Sequence, residues 1–526
     1  MADVERWAGG LATACGLSSD ERGILAAAGA LHDLGKADPR FQTQLREGEL
    51  RAGAKLLAKS AIPHRDRERS DRARDLSGYP ARLRHELTSL AMLDTASFAS
   101  AEDELVRYLV ATHHGYCRPF SPAQVDPAPV RVPYAGLFGE LTATSGHTLG
   151  GVGSPLPSLF TRLIDRYGHL RLAHYEALLR LADHGASRNI GRRTPATLRL
   201  RLQPTTTPAS DRAKALPLPG LPVTSAHSFL AALGTVEALH RAGLEAALSW
   251  SIGPFPHAQL HGVSSMDEAV GAILSDRTRR MKDFVLGYPA RDPFETLGRT
   301  RTETYAWWAH VAEQPHDHPD LDLFCGLLID GGRTAEGKAK PTHFDFTAGQ
   351  AKFLKIARTI GEALDADMLI EALAGPWRYT SELSTLRFEA TGERLAALRG
   401  VPPDKDPICG VPGADWLAFL GLSYYPLALR PSRDRYRVVT AACDADWNRS
   451  AFRWPAWNPP IDRALIAALV TDPSLVGQDQ TRRHTSPPEL QARGVTQIWQ
   501  SGIVRSAQGY GSFAPPKLIA SAIGPA

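Results

Sequence analysis

Through the first two hundred positions, apolar residues recur at the three- and four-residue spacing of amphipathic helices. Ser18-Ser19-Asp20-Glu21 has the form of a capping box and opens a helix through Ile24, Leu25 and Leu31 to Gly35. The same spacing predicts helices over His85–Phe98, over Glu102–His114 with Gly115 as its stop, and over Leu170–His184. The pattern then breaks. From Gln203 to Pro222 the chain reads QPTTTPASDRAKALPLPGLP, rich in Pro and Thr and without hydrophobic periodicity, which predicts a linker. Beyond it, helical stretches at Ser228–Ala242 and Ala348–Leu364 alternate with short apolar or aromatic runs such as Leu323–Ile329 and Arg435–Thr440. The expectation is a multidomain protein. An all-α domain would occupy residues 1–202, a linker 203–222, and a mixed α/β (α+β) domain 223–526.

Length agrees with more than one domain, since 526 residues exceed what one hydrophobic core of about 250–300 residues holds. The composition is that of an ordinary globular protein. The longest apolar runs, such as Ala464 to Val470, fall far short of the roughly 20 residues that cross a bilayer. No basic-then-apolar segment opens the chain, so a cytoplasmic protein without a membrane span is expected. The five cysteines, Cys15, Cys117, Cys325, Cys409 and Cys443, include no CxxC pair, which argues against a disulfide framework or a zinc ribbon. A net charge of +4 does not by itself announce a nucleic-acid binder. The excess lies in the first 200 residues, much of it between Arg65 and Arg84, where a solvated face and a phosphate-steering surface are both open readings.

Candidate chemistry gathers at the predicted helix ends. His32-Asp33 closes the first helix in Leu-His-Asp-Leu-Gly-Lys, His85 begins the next, His113-His114 ends the third, and Asp183 lies near the end of the fourth. A divalent metal that activates water needs a few neutral imidazoles and carboxylates converging on one point, with positions left open. One His-Asp pair arises often by chance, and a lone His on an apolar helix is usually a satisfied core residue. The ordered set carries the inference: HDxGK, a helix-starting His, HH-Gly, then a helical Asp.

This order resembles the HD superfamily and, in detail, the HD nuclease module of type I CRISPR interference systems. The matching pieces are ALHDLGKADPRFQ at Ala30–Gln42, RHELTSLAML at Arg84–Leu93, VATHHG at Val110–Gly115 and RLADHGAS at Arg180–Ser187. The resemblance implies two divalent ions (Mn, Co, Ni, Mg or Fe) about 3.5–4 Å apart, clamping a phosphodiester. Asp33 would bridge them, with His85, His113 and His114 on one ion and His32 and Asp183 on the other. Lys36 could meet a substrate phosphate, or simply complement a helix C-terminus. The family carries a further ligand histidine in a helix before HDxGK, whereas residues 1–31 contain none. Asp3-Val4-Glu5-Arg6-Trp7-Ala8 resembles the continuation of that helix, so the position would fall at or before Met1. Either the start lies upstream, or another residue serves, or the first metal site is weak.

Past Pro222 there is no GxxxxGK[ST], hence no helicase motor, and no catalytic signature. His257 and His261 lack an accompanying Glu, and His316-Asp317-His318 reads as a solvated turn. Leu216–Leu239, Thr342–Leu354, Leu386–Gly400 and Gly413–Ala428 are similar to large-subunit-type proteins of type I-G (formerly I-U) CRISPR surveillance complexes. That resemblance implies single-stranded target DNA, subunits of a guide-RNA complex and a separate helicase as partners. Arg333, Lys338, Lys340 and Lys352 could touch phosphates, or line a mobile basic surface. Trp377, Tyr379 and Tyr424-Tyr425 could stack on bases, but such residues more often fill a core; Arg505 and Tyr510 are equally open. Together the resemblances imply a nuclease that cuts the displaced strand. The alternatives are a stand-alone nucleotide phosphohydrolase and a catalytically weak DNA-binding subunit.

Overall fold

A computed structural model of the chain describes residues 2–48, 55–60, 62, 66–80, 83–95, 101–122, 125–136, 139–188, 215–253, 255–282, 286, 295–314, 318, 320–334, 336–389, 409–432, 435–444, 447, 450–477, 486–506 and 509–522. The chain divides into two compact units, Met1–Ser210 and Asp211–Ala526.

The first unit is helical. Its helices are α1 (Ala2–Ala14), α2 (Ser19–Leu31), α3 (Pro39–Leu45), α4 (Arg67–Ser77), α5 (His85–Thr95), α6 (Ala101–Thr112) and α7 (Pro155–Arg188). The capping box at the start of α2 is formed in both directions, Ser18 Oγ accepting from the Glu21 amide and Glu21 from the Ser18 amide. Leu25, Leu87, Leu109, Leu163 and Leu179 are fully buried in one shared core. Each such side chain stabilises the unit by about 1.5–3 kcal/mol relative to an exposed one. α2 stops at Leu31 rather than running to Gly35, and a 3₁₀ turn, Leu34–Ala37, follows it. α7 is twice as long as the expected Leu170–His184 and bends at Gly168, whose φ of 72° no ordinary helical residue adopts.

The unit is not purely α-helical. β1 (Arg131–Gly136) and β2 (Gly139–Thr144) form an antiparallel hairpin with Val132 and Tyr134 turned inward. Pro133 within so short a run masks its strand pattern in sequence.

The second unit is mixed. β3 (Leu216–Pro222), α8 (Ala226–Arg241), β4 (Ala247–Trp250) and β5 (His257–His261) open it. Its first sheet has the order 461–462, β4, β5, β3, all antiparallel. The expected linker therefore ends early: residues 203–214 lie outside the described residues, and Leu216–Pro222 is a strand. Being at the sheet edge, β3 tolerates Pro217, Pro219 and Pro222, which cannot donate to a ladder. A second sheet joins strands 451–457, 495–505, 511–513 and 517–521, and hairpins pair 328–333 with 339–341 and 427–432 with 435–440. The run Leu323–Ile329 is a helix end followed by a strand start, Asp320–Leu327 then Leu328–Arg333. α8 is buried along nearly its whole length against the helix Pro412–Gly421. A Cβ on Gly234 would sit 1.7 Å from the Leu417 carbonyl oxygen and one on Gly421 2.2 Å from that of Leu230, so these helices meet backbone to backbone.

Candidate metal centre

Each predicted ligand of the first unit is delivered by a helix terminus or a buried helix face. His32 caps the C-terminus of α2, Asp33 follows it into the 3₁₀ turn, and His85 is the first residue of α5. His113 and His114 follow Thr112 at the end of α6, where Gly115 turns the chain with φ of 87°. Asp183 projects from α7.

These side chains converge. Asp33 Oδ2 lies 3.2 Å from His32 Nε2, and Asp33 Oδ1 lies 3.3 Å from His85 Nε2 and 4.0 Å from His113 Nε2. Asp183 Oδ1 reaches His32 Nε2 at 3.8 Å. The His113 and His114 ring centroids are 4.1 Å apart, and those of His85 and His114 5.2 Å. Among the described residues, two groups have donor atoms close enough to share an ion: His85, His113 and His114, and His32, Asp33 and His113. His113 belongs to both, while Asp183 stands just outside the second.

The donor atoms suit cations. Nε2 of His32, His85 and His113 and Oδ1 of Asp33 are buried yet make no well-aligned hydrogen bond. Such atoms are expensive to bury unless a further group satisfies them. The opposite ring nitrogens are tied back. His32 Nδ1 donates to the Gly29 carbonyl at 2.8 Å and His113 Nδ1 to the Val110 carbonyl at 2.7 Å. A carbonyl only accepts, so each Nδ1 carries a proton, and in the neutral ring the Nε2 lone pair is the one turned to the centre. His85 Nδ1 is 3.4 Å from Glu86 Oε2, and Glu86 in turn accepts from Arg84 at 2.6 Å.

Electrostatics agree. Burial and the neighbouring imidazoles hold His113 far below the usual histidine range, and burial pushes His114 down to about 4, so both rings are neutral at physiological pH. Burial opposes charge on His32 as well, but Asp33 and Asp183 overcome it and raise it to about 9. Asp33 stays ionised despite its burial, through His32 above all. A cation bound between these two carboxylates would take the place of the second proton that they favour on His32.

Lys36 faces inward. Its Nζ donates to Asp33 Oδ2 at 2.8 Å and to the Ala58 carbonyl at 3.4 Å. Glu86 and Ser89 were not singled out in sequence. Glu86 is 1 % exposed and adjoins His85, and Ser89 lies one helical turn beyond it on the same face of α5, a spacing that could have flagged both.

In the second unit, Arg333, Lys338 and Lys340 sit on or beside the hairpin of 328–333 and 339–341, with Lys338 exposed. Lys352 precedes the helix Phe353–Ala363 and lines a groove of about 450 Å³ with Lys355, Arg387 and Tyr510. Among the described residues no acidic side chain lines that groove. Tyr424 and Tyr425 are buried core residues, and Arg505 lies 4.1 Å over the Trp447 ring. His257 and His261 belong to neither ion-holding group among the described residues, and His316 and Asp317 lie outside those residues.

Residues 3–147 match the family described as Cas3, HD domain. His32, Asp33, His85, His113 and His114 fall inside that span and Asp183 beyond it. The chain matches no curated protein and no solved structure. The match supports an HD nuclease of CRISPR Cas3 type in this segment, with metal-dependent hydrolysis as its chemistry and nucleic acid as its substrate. Among the described residues no helix is long and apolar enough to cross a membrane.

Proposed function

We propose that this chain is a metal-dependent DNA nuclease whose HD domain, residues 1–202, cuts the single strand displaced when a guide RNA pairs with its target. The observation that carries this reading is the set of buried, poorly hydrogen-bonded donor atoms on His32, Asp33, His85 and His113, turned toward one another within a segment that matches an HD nuclease domain. Two divalent ions (Mn, Co, Ni, Mg or Fe) bound there would supply Lewis acidity to a phosphodiester and to the attacking water. His85, His113 and His114 would hold one ion and His32 with Asp183 the other, Asp33 lying between. The residues behind them give the centre its order. Gly29, Val110 and Glu86 fix the three imidazole rings, and Lys36 keeps Asp33 charged and oriented.

In the same reading, the second unit, from β3 through residue 526, forms a surveillance-complex large-subunit-like domain joined to the nuclease through the stretch that precedes Leu216. Division into compact units at Ser210 supports a boundary in that stretch. Lys352 with Lys355 and Arg387, and the hairpin carrying Arg333, Lys338 and Lys340, are its candidate phosphate contacts. A shared chain would raise the nuclease's effective concentration at the opened strand. Cytoplasmic antiviral defence, with complex subunits and a separate helicase as partners, completes the proposal.

The test is incubation of the full chain with Mn²⁺, Co²⁺, Ni²⁺ or Mg²⁺ and single-stranded DNA, beside Asp33→Ala. Strand cleavage lost in Asp33→Ala supports the nuclease. Turnover of mononucleotides without strand cleavage supports a nucleotide phosphohydrolase instead.

A further inference from the structure

Next to the metal centre a cleft of about 430 Å³ opens directly onto His85 and His114. Its walls come from four separate segments. Phe41 and Gln44 stand on α3, Arg74 on α4, Arg84 at the start of α5, and Tyr116 just past the end of α6. Among the described residues, the lining holds two arginines and three aromatic rings, with Tyr79 the third, and no carboxylate.

Arg84 and Tyr116 already form the beginning of a stack. The guanidinium carbon of Arg84 lies 4.1 Å from the Tyr116 ring centroid, while Glu86 accepts a hydrogen bond from the same guanidinium. Tyr116 remains 42 % exposed, so part of its ring is open to a further stacking partner. Among the described residues Arg74 pairs with Asp71 of its own helix, at 3.1 Å and largely in solvent, an arrangement of little energetic weight that leaves its charge available.

Aromatic faces beside arginines are how proteins hold unpaired nucleotides: bases stack on the rings and the cations follow the backbone. A base can lie flat on such a ring only when it has left its own helical stack, which selects single strands over duplex. Resting on the nuclease reading above, we propose that this cleft is the strand-binding subsite of the centre. One unstacked base extends the Arg84–Tyr116 stack, and Arg74 meets a neighbouring phosphate. The phosphodiester next to that base then lies against His85 and His114.

Stacking and phosphate contact separate cleanly when the base is removed but the backbone kept. With the Mn²⁺-loaded full chain, Tyr116→Ala raises KM for a single-stranded oligonucleotide roughly tenfold, and Tyr116→Phe restores it. An oligomer of abasic residues suffers a similar KM penalty with the unsubstituted protein. The two penalties do not add, because both delete one contact. Arg74→Ala raises KM on both strands alike, and its effect fades as salt rises. Additive penalties, or Tyr116→Ala cleaving like the unsubstituted chain, overturn the proposal while leaving the nuclease reading intact. Should the unsubstituted chain cleave nothing with any metal, that reading fails, and the subsite is judged on binding alone. An oligonucleotide carrying 2-aminopurine is then quenched by the metal-free protein, and the quenching is lost in Tyr116→Ala but kept in Tyr116→Phe. Equal quenching in all three would end the proposal.

Discussion

The backbone amide of Gly35 donates to Ser89 Oγ at 2.7 Å, so the HDxGK turn is fastened to α5 one turn beyond His85. The same hydroxyl lies 2.9 Å from the His32 carbonyl oxygen and 3.0 Å from that of His85, and it can donate to either. One buried side chain therefore sets the spacing between two candidate ligands. Ser89→Ala leaves a buried amide without a partner, an expected loss of about 1–3 kcal/mol, together with weaker metal binding. Thermal unfolding and metal titration of the variant read the two effects.

Gly35 has no room for a side chain. A Cβ there would lie 2.1 Å from the His85 carbonyl oxygen and 2.8 Å from the Ser89 amide. Backbone cannot move aside as a flexible side chain does, so Gly35→Ala pushes the turn off α5. Destabilisation of roughly 3 kcal/mol or more is expected, visible as a lowered denaturation midpoint.

Glu86 orients His85 from behind and is itself neutralised by Arg84. Burial opposes its charge, yet His85 and Arg84 hold its carboxyl below the usual range. Glu86→Gln keeps the shape and removes the charge. Metal affinity should fall about 10- to 100-fold, the usual effect of losing such an outer partner, with little change in the far-ultraviolet circular dichroism.

A pH effect belongs to the second unit. His227 is fully buried, 3.4 Å from Glu389 and 3.2 Å from Asp415. Burial opposes its charge, but the two carboxylates raise it from 6.5 to about 9. The folded state thus binds this proton more tightly than the unfolded chain. Its stabilising contribution is complete below about 6.5 and is lost as pH rises through about 9. Urea midpoints between these limits should decline with pH, and His227→Gln should flatten the decline.

Much of the candidate centre was legible because its signals are local. A helix cap, a helix-ending glycine and histidines at helix termini are short-range patterns, and Ser18, Gly115, His32, His85 and His113 stand where those patterns put them. Elements hidden by proline were not legible. Pro133 obscured the hairpin and Pro217, Pro219 and Pro222 obscured β3, since strand periodicity over so few residues leaves nothing else to read. The strand cleft was invisible for a different reason. Phe41, Arg74, Arg84 and Tyr116 have no shared spacing and meet only after four segments have packed. The Arg65–Arg84 stretch, read from sequence as either a solvated face or a phosphate-steering surface, contributes Arg74 and Arg84 to that cleft.

Six side chains from four segments are proposed to share divalent cations, and titration calorimetry with Mn²⁺ counts those ions. Two ions should bind per chain, both lost or severely weakened in Asp33→Ala, where the carboxylate between the two groups is gone. Equal Mn²⁺ binding by the unsubstituted protein and Asp33→Ala, or no specific binding by either, would contradict it.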